Sequence, residues 1–290
     1  MSKVYASPDL YELAFSYRDY RAECDRLEQW YREVSAPTNS LGARTNCGER
    51  SEPAGRSDSL RPGADNSLRV LELAAGPSDH ALELARRGHR AAALDLSASM
   101  CEYARSRARR LGLELDVYAA DMSNFQLDRT FDLVFVMLSS VSHLMTWDSL
   151  VSHLTSVARH LSPDGLFLIE TTHPADFLGR GSRSTGVGSP WVMKSGARTL
   201  KVKWGSPDDP YDVLKQVFDA HVRLELEEDG AVSVFEDHFP MRDFTLSELS
   251  TAAREAGLTM VRTAGDFERD LPLDHGEAWR MILMFQKARV

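Results

Sequence analysis

The sequence predicts an α/β protein: a doubly wound parallel sheet, with an antiparallel β cap inserted late in the chain. Three observations carry that reading. Residues 68–95 spell strand, tight turn, helix and strand. Apolar strand-like runs then keep alternating with helical segments as far as residue 170, the pattern of a parallel sheet covered on both faces. Between residues 199 and 239 the pattern changes to alternating apolar and polar residues, the period of strands with one solvated face.

Composition sets the outer limits. The chain has 290 residues, a net charge of −9, 43% hydrophobic and 27% charged residues, enough apolar material for one large or two small cores. An acidic chain is a poor partner for nucleic acid, whose recognition runs on Lys and Arg against phosphate. Cys24, Cys47 and Cys101 are scattered and odd in number, which suggests reduced thiols and no zinc site. The first five residues carry no apolar leader and no stretch approaches 18 apolar residues, so the expectation is a cytoplasmic protein without a membrane span.

In chain order, residues 8–34 read as one helix with an aromatic stripe that includes Tyr11, Tyr17 and Tyr20. Residues 35–67 are rich in Gly, Pro, Ser, Asn and Arg; such a stretch cannot bury enough to order itself and is expected to be a flexible insertion. The strand that follows ends in Ala74-Ala75-Gly76, with Ser78 as the expected N-cap of a helix closed by Gly88. The next strand, 91–94, ends in Asp95, 19 residues beyond Gly76. A carboxylate about 20 residues past the glycine suits the two hydroxyls of a ribose. Only one glycine of a dinucleotide loop is present, so the pyrophosphate cradle is missing, which counts against NAD and FAD. A nucleoside ligand without phosphates needs no such cradle, and S-adenosylmethionine is the obvious one.

Ser97 caps the next helix, which Gly112 ends; Met100 on its first turn suits either an adenine face or the core. A strand over 113–118 leads to Asp121 and Met122, and the apolar run 131–138 reads as the centre of the sheet, ending at Ser139 and His143. A helix over 147–161, a Ser-Pro-Asp-Gly turn and a strand over 166–170 follow. Ligands of such sheets sit outside the carboxyl ends of the strands, so Gly76, Asp95, Asp121, Ser139, His143 and His173 are expected on one edge. Cap strands are read over 199–204, 217–227 and 231–239, with Glu228-Asp229-Gly230 as a hairpin turn. A helix from Thr245 to Gly257 and two strands, 259–263 and 278–287, close the chain.

The run Val70-Leu71-Glu72-Leu73-Ala74-Ala75-Gly76, then Leu94-Asp95-Leu96-Ser97, Ala120-Asp121-Met122, Phe131-Asp132-Leu133-Val134 and Leu161-Ser162-Pro163-Asp164-Gly165 resembles the class I S-adenosylmethionine (SAM)-dependent methyltransferases. Over Asp121 to Phe125, Met137 to His143 and Ala158 to Leu178 it is similar, within that class, to amino-sugar N,N-dimethyltransferases. The resemblance implies a Rossmann-like, seven-stranded sheet whose last strand is antiparallel, and five parts: an N-terminal helical lid (1–34), a linker (35–67), a SAM-binding core (68–178), a substrate cap (179–244) and a closing helix with two strands (245–290).

It also implies roles. Glu72, Ala74 and Gly76 would serve the methionine part of SAM, Asp95 the ribose, Leu96 and Met100 the adenine face, and Asp121 with Met122 the adenine amino group. Leu138 and Ser139 would lie beneath the sulfonium. Ala74 and Ser78 stand where relatives often have glycine, and a Ser78 hydroxyl is expected close to the SAM backbone. His143 is the candidate catalytic base, since an imidazole with an ordinary pKa near 6.5 can accept a proton at neutral pH. Tyr11, Tyr17, His173, Trp191, His238 and Arg242 are candidates for the acceptor pocket. The Asp and His residues show no ligand spacing, so no metal is expected. The function expected is methyl transfer to N or O of a small-molecule acceptor in natural-product metabolism, with S-adenosylhomocysteine as product; a homodimer remains open. A SAM-binding cyclase or lyase, a nucleoside-binding module and a dehydrogenase are the competing readings.

Overall fold

The computed structural model describes residues 4–35, 67–178, 190–206 and 209–289; the expected linker, apart from its two ends, and Cys47 lie outside them. Strands β1 (Arg69–Leu73), β2 (Arg90–Asp95), β3 (Asp116–Ala119), β4 (Phe131–Val136) and β5 (Leu161–Thr172) run parallel. The cap contains β6 (Trp191–Ser195), β7 (Arg198–Trp204), β8 (Tyr211–Asp212), β9 (Val217–Glu228) and β10 (Ala231–Arg242). After it come β11 (Leu258–Ala264) and β12 (Arg280–Lys287). The main sheet has the order β11-β12-β5-β4-β1-β2-β3, with β12 antiparallel to both its neighbours.

Alternation along each strand divides the core between two faces. Leu71, Leu73, Val134, Val136, Phe167 and Ile169 pack on one side, beneath α5 (Trp147–His160) and α7 (Leu246–Glu255), whose Leu150, Leu154 and Leu249 join the same cluster. Val70, Leu133, Phe135, Leu166 and Leu168 pack on the other, together with residues of α2 (Tyr20–Ser35) and α3 (Asp79–Arg86). Both faces are covered, which is why these strands read as unbroken apolar runs. The helix α4 (Ala98–Leu111) starts on a Ser97 side chain that accepts from the Met100 amide and ends at Gly112, as expected. Thr146 and Thr245 cap α5 and α7, each closing a reciprocal box with the residue three positions on.

Three sequence readings are corrected. The segment 8–34 is two helices, α1 (Pro8–Ala14) and α2, because Asp19 starts a new one: its carboxylate accepts from the Ala22 amide at 3.0 Å. Ser78 occupies the N-cap position of α3 but makes no cap bond, since φ 63° turns its backbone left-handed. Strand β5 begins five residues early; Leu161 pairs with Phe131 and Leu166 with Leu133, so the intervening turn residues form a bulge in the sheet.

The second sheet has the order β10-β9-β7-β6, with β8 beside β9; β6 and β8 were not expected. Asp229 and Gly230 both have positive φ, 50° and 80°, which a two-residue hairpin needs to match the strand twist. Helix α1 buries Leu10, Leu13 and Ala14 against Leu200, Val202, Val222 and Leu224 of this sheet. The short α6 (Pro174–Leu178) follows β5. Among the described residues no helix is long and apolar enough to cross a membrane.

Candidate functional site

A cavity of about 1040 Å³ opens at the carboxyl ends of β1, β2, β4 and β5 and is roofed by α1, β6 and β7. Its volume lies at the upper end of small-molecule sites. Thirteen of the expected residues meet here: Ala74, Gly76, Asp95, Leu96, Met100, Asp121, Met122, Leu138, Ser139 and His143 from the core, with Tyr11, Tyr17 and Trp191 from the roof.

The Asp95 carboxylate lines the cavity at the tip of β2. Its two oxygens accept from the Gly76 and Ser97 amides, each at 2.7 Å. Burial raises its pKa, with the two amides acting the other way. A carboxylate has about four lone-pair sites, so two remain for a ligand. Asp121 accepts from the Ser123 amide at 2.7 Å and is otherwise exposed to the cavity. Ala74, Leu138 and Ser139, at the tips of β1 and β4, hold φ of 48°, 55° and 55°. Left-handed backbone at three non-glycine positions beside one cavity is stored strain, and such strain concentrates at ligand sites. Gly76 also has positive φ, and an added Cβ would lie 3.7 Å from the Tyr11 ring.

At the other end the lining is aromatic. Tyr5, Tyr11, Phe15 and Trp204 form a chain of rings with centroids 4.7 to 6.4 Å apart, and Trp191 joins through Phe15 and a 2.8 Å bond from its indole N–H to the Ala14 carbonyl. His143 ends the 3-10 turn Ser140–His143; its Nε2 lies 2.9 Å from the Tyr5 hydroxyl. Burial lowers the His143 pKa, so the imidazole is neutral at neutral pH.

Beneath the cavity lies a buried charge network. Arg18 is paired with Glu23 at 2.8 Å and Glu170 at 3.0 Å, and Arg280 reaches Glu170 at 2.7 Å. His80 bridges Glu23 and Glu72, at 2.7 and 3.0 Å. Burial opposes protonation of His80, but the bonds to both glutamates outweigh it and hold its pKa up at about 9. Burial would likewise raise Glu170, yet Arg18 and Arg280 prevail and bring it to about 2. Glu170 also accepts from the Leu138 amide at 3.0 Å, and its carbonyl accepts from Ser139 at 3.2 Å, so the network holds the strained β4 tip in place.

Five expected placements are corrected. Glu72 points to the α2–α3 side of β1, where strand alternation puts it in phase with Val70; it accepts from the Ala81 amide and bonds His80, away from the cavity. Ser78 is buried, with Oγ 3.5 Å from the Gly76 carbonyl, and does not line the cavity. His173 has both ring nitrogens engaged, with the Leu273 carbonyl and the Ala175 amide. His238 stacks on its cross-strand partner His221 at 4.3 Å on the outside of the cap. Arg242 is held by Glu248 at 3.0 Å and lies over the Phe244 ring. The sequence reading missed Tyr5, Arg18, Glu170 and Arg280. Glu170 was detectable as the one charge closing the apolar strand LFLIE; Tyr5 carried no periodic signal. Among the described residues no cluster of His, Cys, Asp or Glu has a metal-holding arrangement.

Comparison with known proteins agrees with this geometry. A family model described as a methyltransferase domain matches residues 70–165. A Streptomyces venezuelae dTDP-3-amino-3,4,6-trideoxy-alpha-D-glucopyranose N,N-dimethyltransferase is 27% identical over 175 residues, 57% of this chain and 72% of the relative. A Streptomyces cypemycin N-terminal methyltransferase is 24% identical over 68% of this chain and 75% of its own. The crystal structure of Streptomyces venezuelae DesVI superposes with a TM-score of 0.70 at 22% identity, covering 97% of this chain and 96% of that one, which establishes the shared fold. The chain is thus similar to SAM-dependent methyltransferases, through a methyltransferase-domain match over residues 70–165 set in a β11-β12-β5-β4-β1-β2-β3 sheet whose cavity lies at the strand tips.

Proposed function

We propose that the protein methylates an amine nitrogen of a small molecule in natural-product metabolism. The observation that supports this is what two of its curated relatives share: one is named as an N,N-dimethyltransferase of an amino sugar and the other as a cypemycin N-terminal methyltransferase, and both names point to an amine acceptor. The cavity is consistent with it. A neutral imidazole and aromatic rings suit a neutral amine, which attacks through its own lone pair and needs no strong base.

The residues fit the cofactor by donor chemistry. Asp95 keeps acceptor capacity for two ribose hydroxyls, Leu96, Met100 and Met122 offer an apolar flank for adenine, and Asp121 an acceptor for its amino group. Ala74 and Gly76 would hold the methionine part, with Leu138 and Ser139 beneath the sulfur. Bound SAM supplies a methyl group already activated by a positive sulfur, so the protein's task is to orient the acceptor and exclude water. Tyr11, Tyr17 and Trp191 would hold the acceptor. The test is calorimetric titration with SAM and S-adenosylhomocysteine, followed by a screen of amines and alcohols for S-adenosylhomocysteine release. Micromolar binding and turnover with amines are expected. Turnover with alcohols alone, or no binding of either nucleoside, would overturn the reading.

A further inference from the structure

We propose that His153 is a positioning residue for the cofactor: through one peptide unit it aims the Asp121 carboxylate into the cavity. That role rests on the reading above, in which Asp121 is the acceptor for the adenine amino group. Residues 121–124 form a turn closed by the Asn124 amide on the Asp121 carbonyl, at 3.3 Å. The central peptide of such a turn is the unit whose rotation separates one turn type from another; here it is the Met122 carbonyl with the Ser123 amide. Both of its ends are held. His153 Nδ1 lies 2.8 Å from the Met122 carbonyl oxygen, and the Ser123 amide donates to the Asp121 carboxylate at 2.7 Å. A peptide unit is planar, so a grip on its carbonyl fixes the direction of its N–H, and through that N–H the carboxylate lining the cavity. The two bonds run through one peptide dipole and polarise each other.

Helix α5 supplies the histidine from behind the cavity wall. Its start, with Thr146 and Ser149, reaches the lining. His153, one turn beyond Ser149, is fully buried and packs its ring 5.9 Å from that of Phe167. At the far end of the same segment the Leu127 amide donates to His160 Nε2 at 2.7 Å, so α5 holds the segment at two points. A carbonyl only accepts, so Nδ1 of His153 carries a proton. Burial lowers the His153 pKa to about 4, against the opposing pull of the Met122 carbonyl and Asp121, so the ring is neutral and Nε2 is bare. That nitrogen is buried and has no hydrogen-bond partner among the described residues. A buried acceptor without a donor is destabilising, and an apolar ring would avoid the loss on a helix that packs Leu150, Leu154 and Val157 into the core. Core packing therefore does not account for a histidine here; its bond to Met122 does.

Two nucleosides in three proteins test this. S-adenosylhomocysteine carries the adenine amino group; S-inosylhomocysteine has in its place an oxo group, which a carboxylate does not bind. In calorimetric titration wild type is expected to favour S-adenosylhomocysteine by about tenfold or more, the scale of a charge-assisted bond. His153→Phe keeps a buried ring and removes the N–H; it should lose about tenfold for S-adenosylhomocysteine and less than about threefold for S-inosylhomocysteine. His153→Asn places an amide N–H near the position of Nδ1 and should hold S-adenosylhomocysteine affinity within about threefold of wild type. A purely structural role lowers both affinities alike. That result, no loss for either ligand, or an Asn variant as weak as the Phe variant would overturn the assignment. So would a histidine nitrogen-15 spectrum of wild type at neutral pH with the His153 proton on Nε2. No binding of either nucleoside by wild type sinks the cofactor reading and this role together, and equal binding of the two removes Asp121 from the adenine site and this role with it. A wild-type preference that survives His153→Phe sinks this role alone.

Discussion

Ala74 and Ser78 show how much one residue's backbone angle can decide. Both sit where the family resemblance implies glycine, and both are left-handed, at φ 48° and 63°. For an L residue that conformation costs roughly 1–2 kcal/mol, which glycine avoids at an entropic cost of about 0.5–1 kcal/mol. Ser78 is buried beside the loop and its hydroxyl has only a 3.5 Å contact to lose. Ser78→Gly is therefore expected to raise stability by up to about 1 kcal/mol, read from urea unfolding; a loss of stability would mean that the hydroxyl matters more than the strain. Asp95 is the opposite case, a side chain whose job is electrostatic. Asp95→Ala removes a charged acceptor and frees two amides, so SAM affinity should fall about tenfold or more by calorimetry, the scale of a lost charge-assisted bond. Unchanged affinity would remove Asp95 from the cofactor site.

At the scale of elements, the junction between α1 and α2 controls the site from below. It carries Arg18, whose guanidinium ties α2 through Glu23 to β5 through Glu170, and Glu170 in turn fixes the Leu138–Ser139 tip of β4. Arg18→Ala leaves two buried carboxylates short of a partner, a change that typically costs about 3–5 kcal/mol. We expect a fall in melting temperature and, with a loosened β4 tip, weaker S-adenosylhomocysteine binding. A melting temperature within one degree of wild type would show that the network is dispensable. The two helices were read as one because the apolar spacing continues across the break. The break is made by the Asp19 carboxylate, which accepts from the Ala22 amide, and the pairs of Arg18 with Glu23 and Glu170 hold it.

Across the whole molecule, buried groups with displaced pKa values set the response to pH. His80, raised to about 9, stabilises the fold fully below its ordinary value near 6.5 and loses that contribution as pH rises to 9. His153, lowered to about 4 by burial, is held neutral, so its contribution is intact above 6.5 and lost as pH falls to 4. Glu170, lowered to about 2, adds a further loss below about 4.5. The melting temperature should therefore peak between about pH 6 and 7 and decline on both sides. His80→Gln should flatten the alkaline limb and leave the acid limb in place; an alkaline limb as steep as wild type would assign that limb to other groups.

The sequence by itself determined the order of the elements and the strand-tip edge of the cavity. Strand runs, caps and the interval from Gly76 to Asp95 are local or periodic features, and strand tips of a parallel sheet must gather on one edge. Asp121, Ser139 and His143 could therefore be assigned to that edge from position alone, while Met100 and Leu138 were assigned through the family resemblance. Tertiary structure decided the rest, because those decisions depend on residues far apart in the chain. Glu72 was turned away from the cavity by strand parity and a histidine eight residues on. His238 was turned outward by the register of the cap, Arg242 was drawn to Glu248 and the Phe244 ring, and Tyr5 was brought to His143 across 138 residues. A side chain's face depends on what packs against it, and no local pattern encodes a partner that distant.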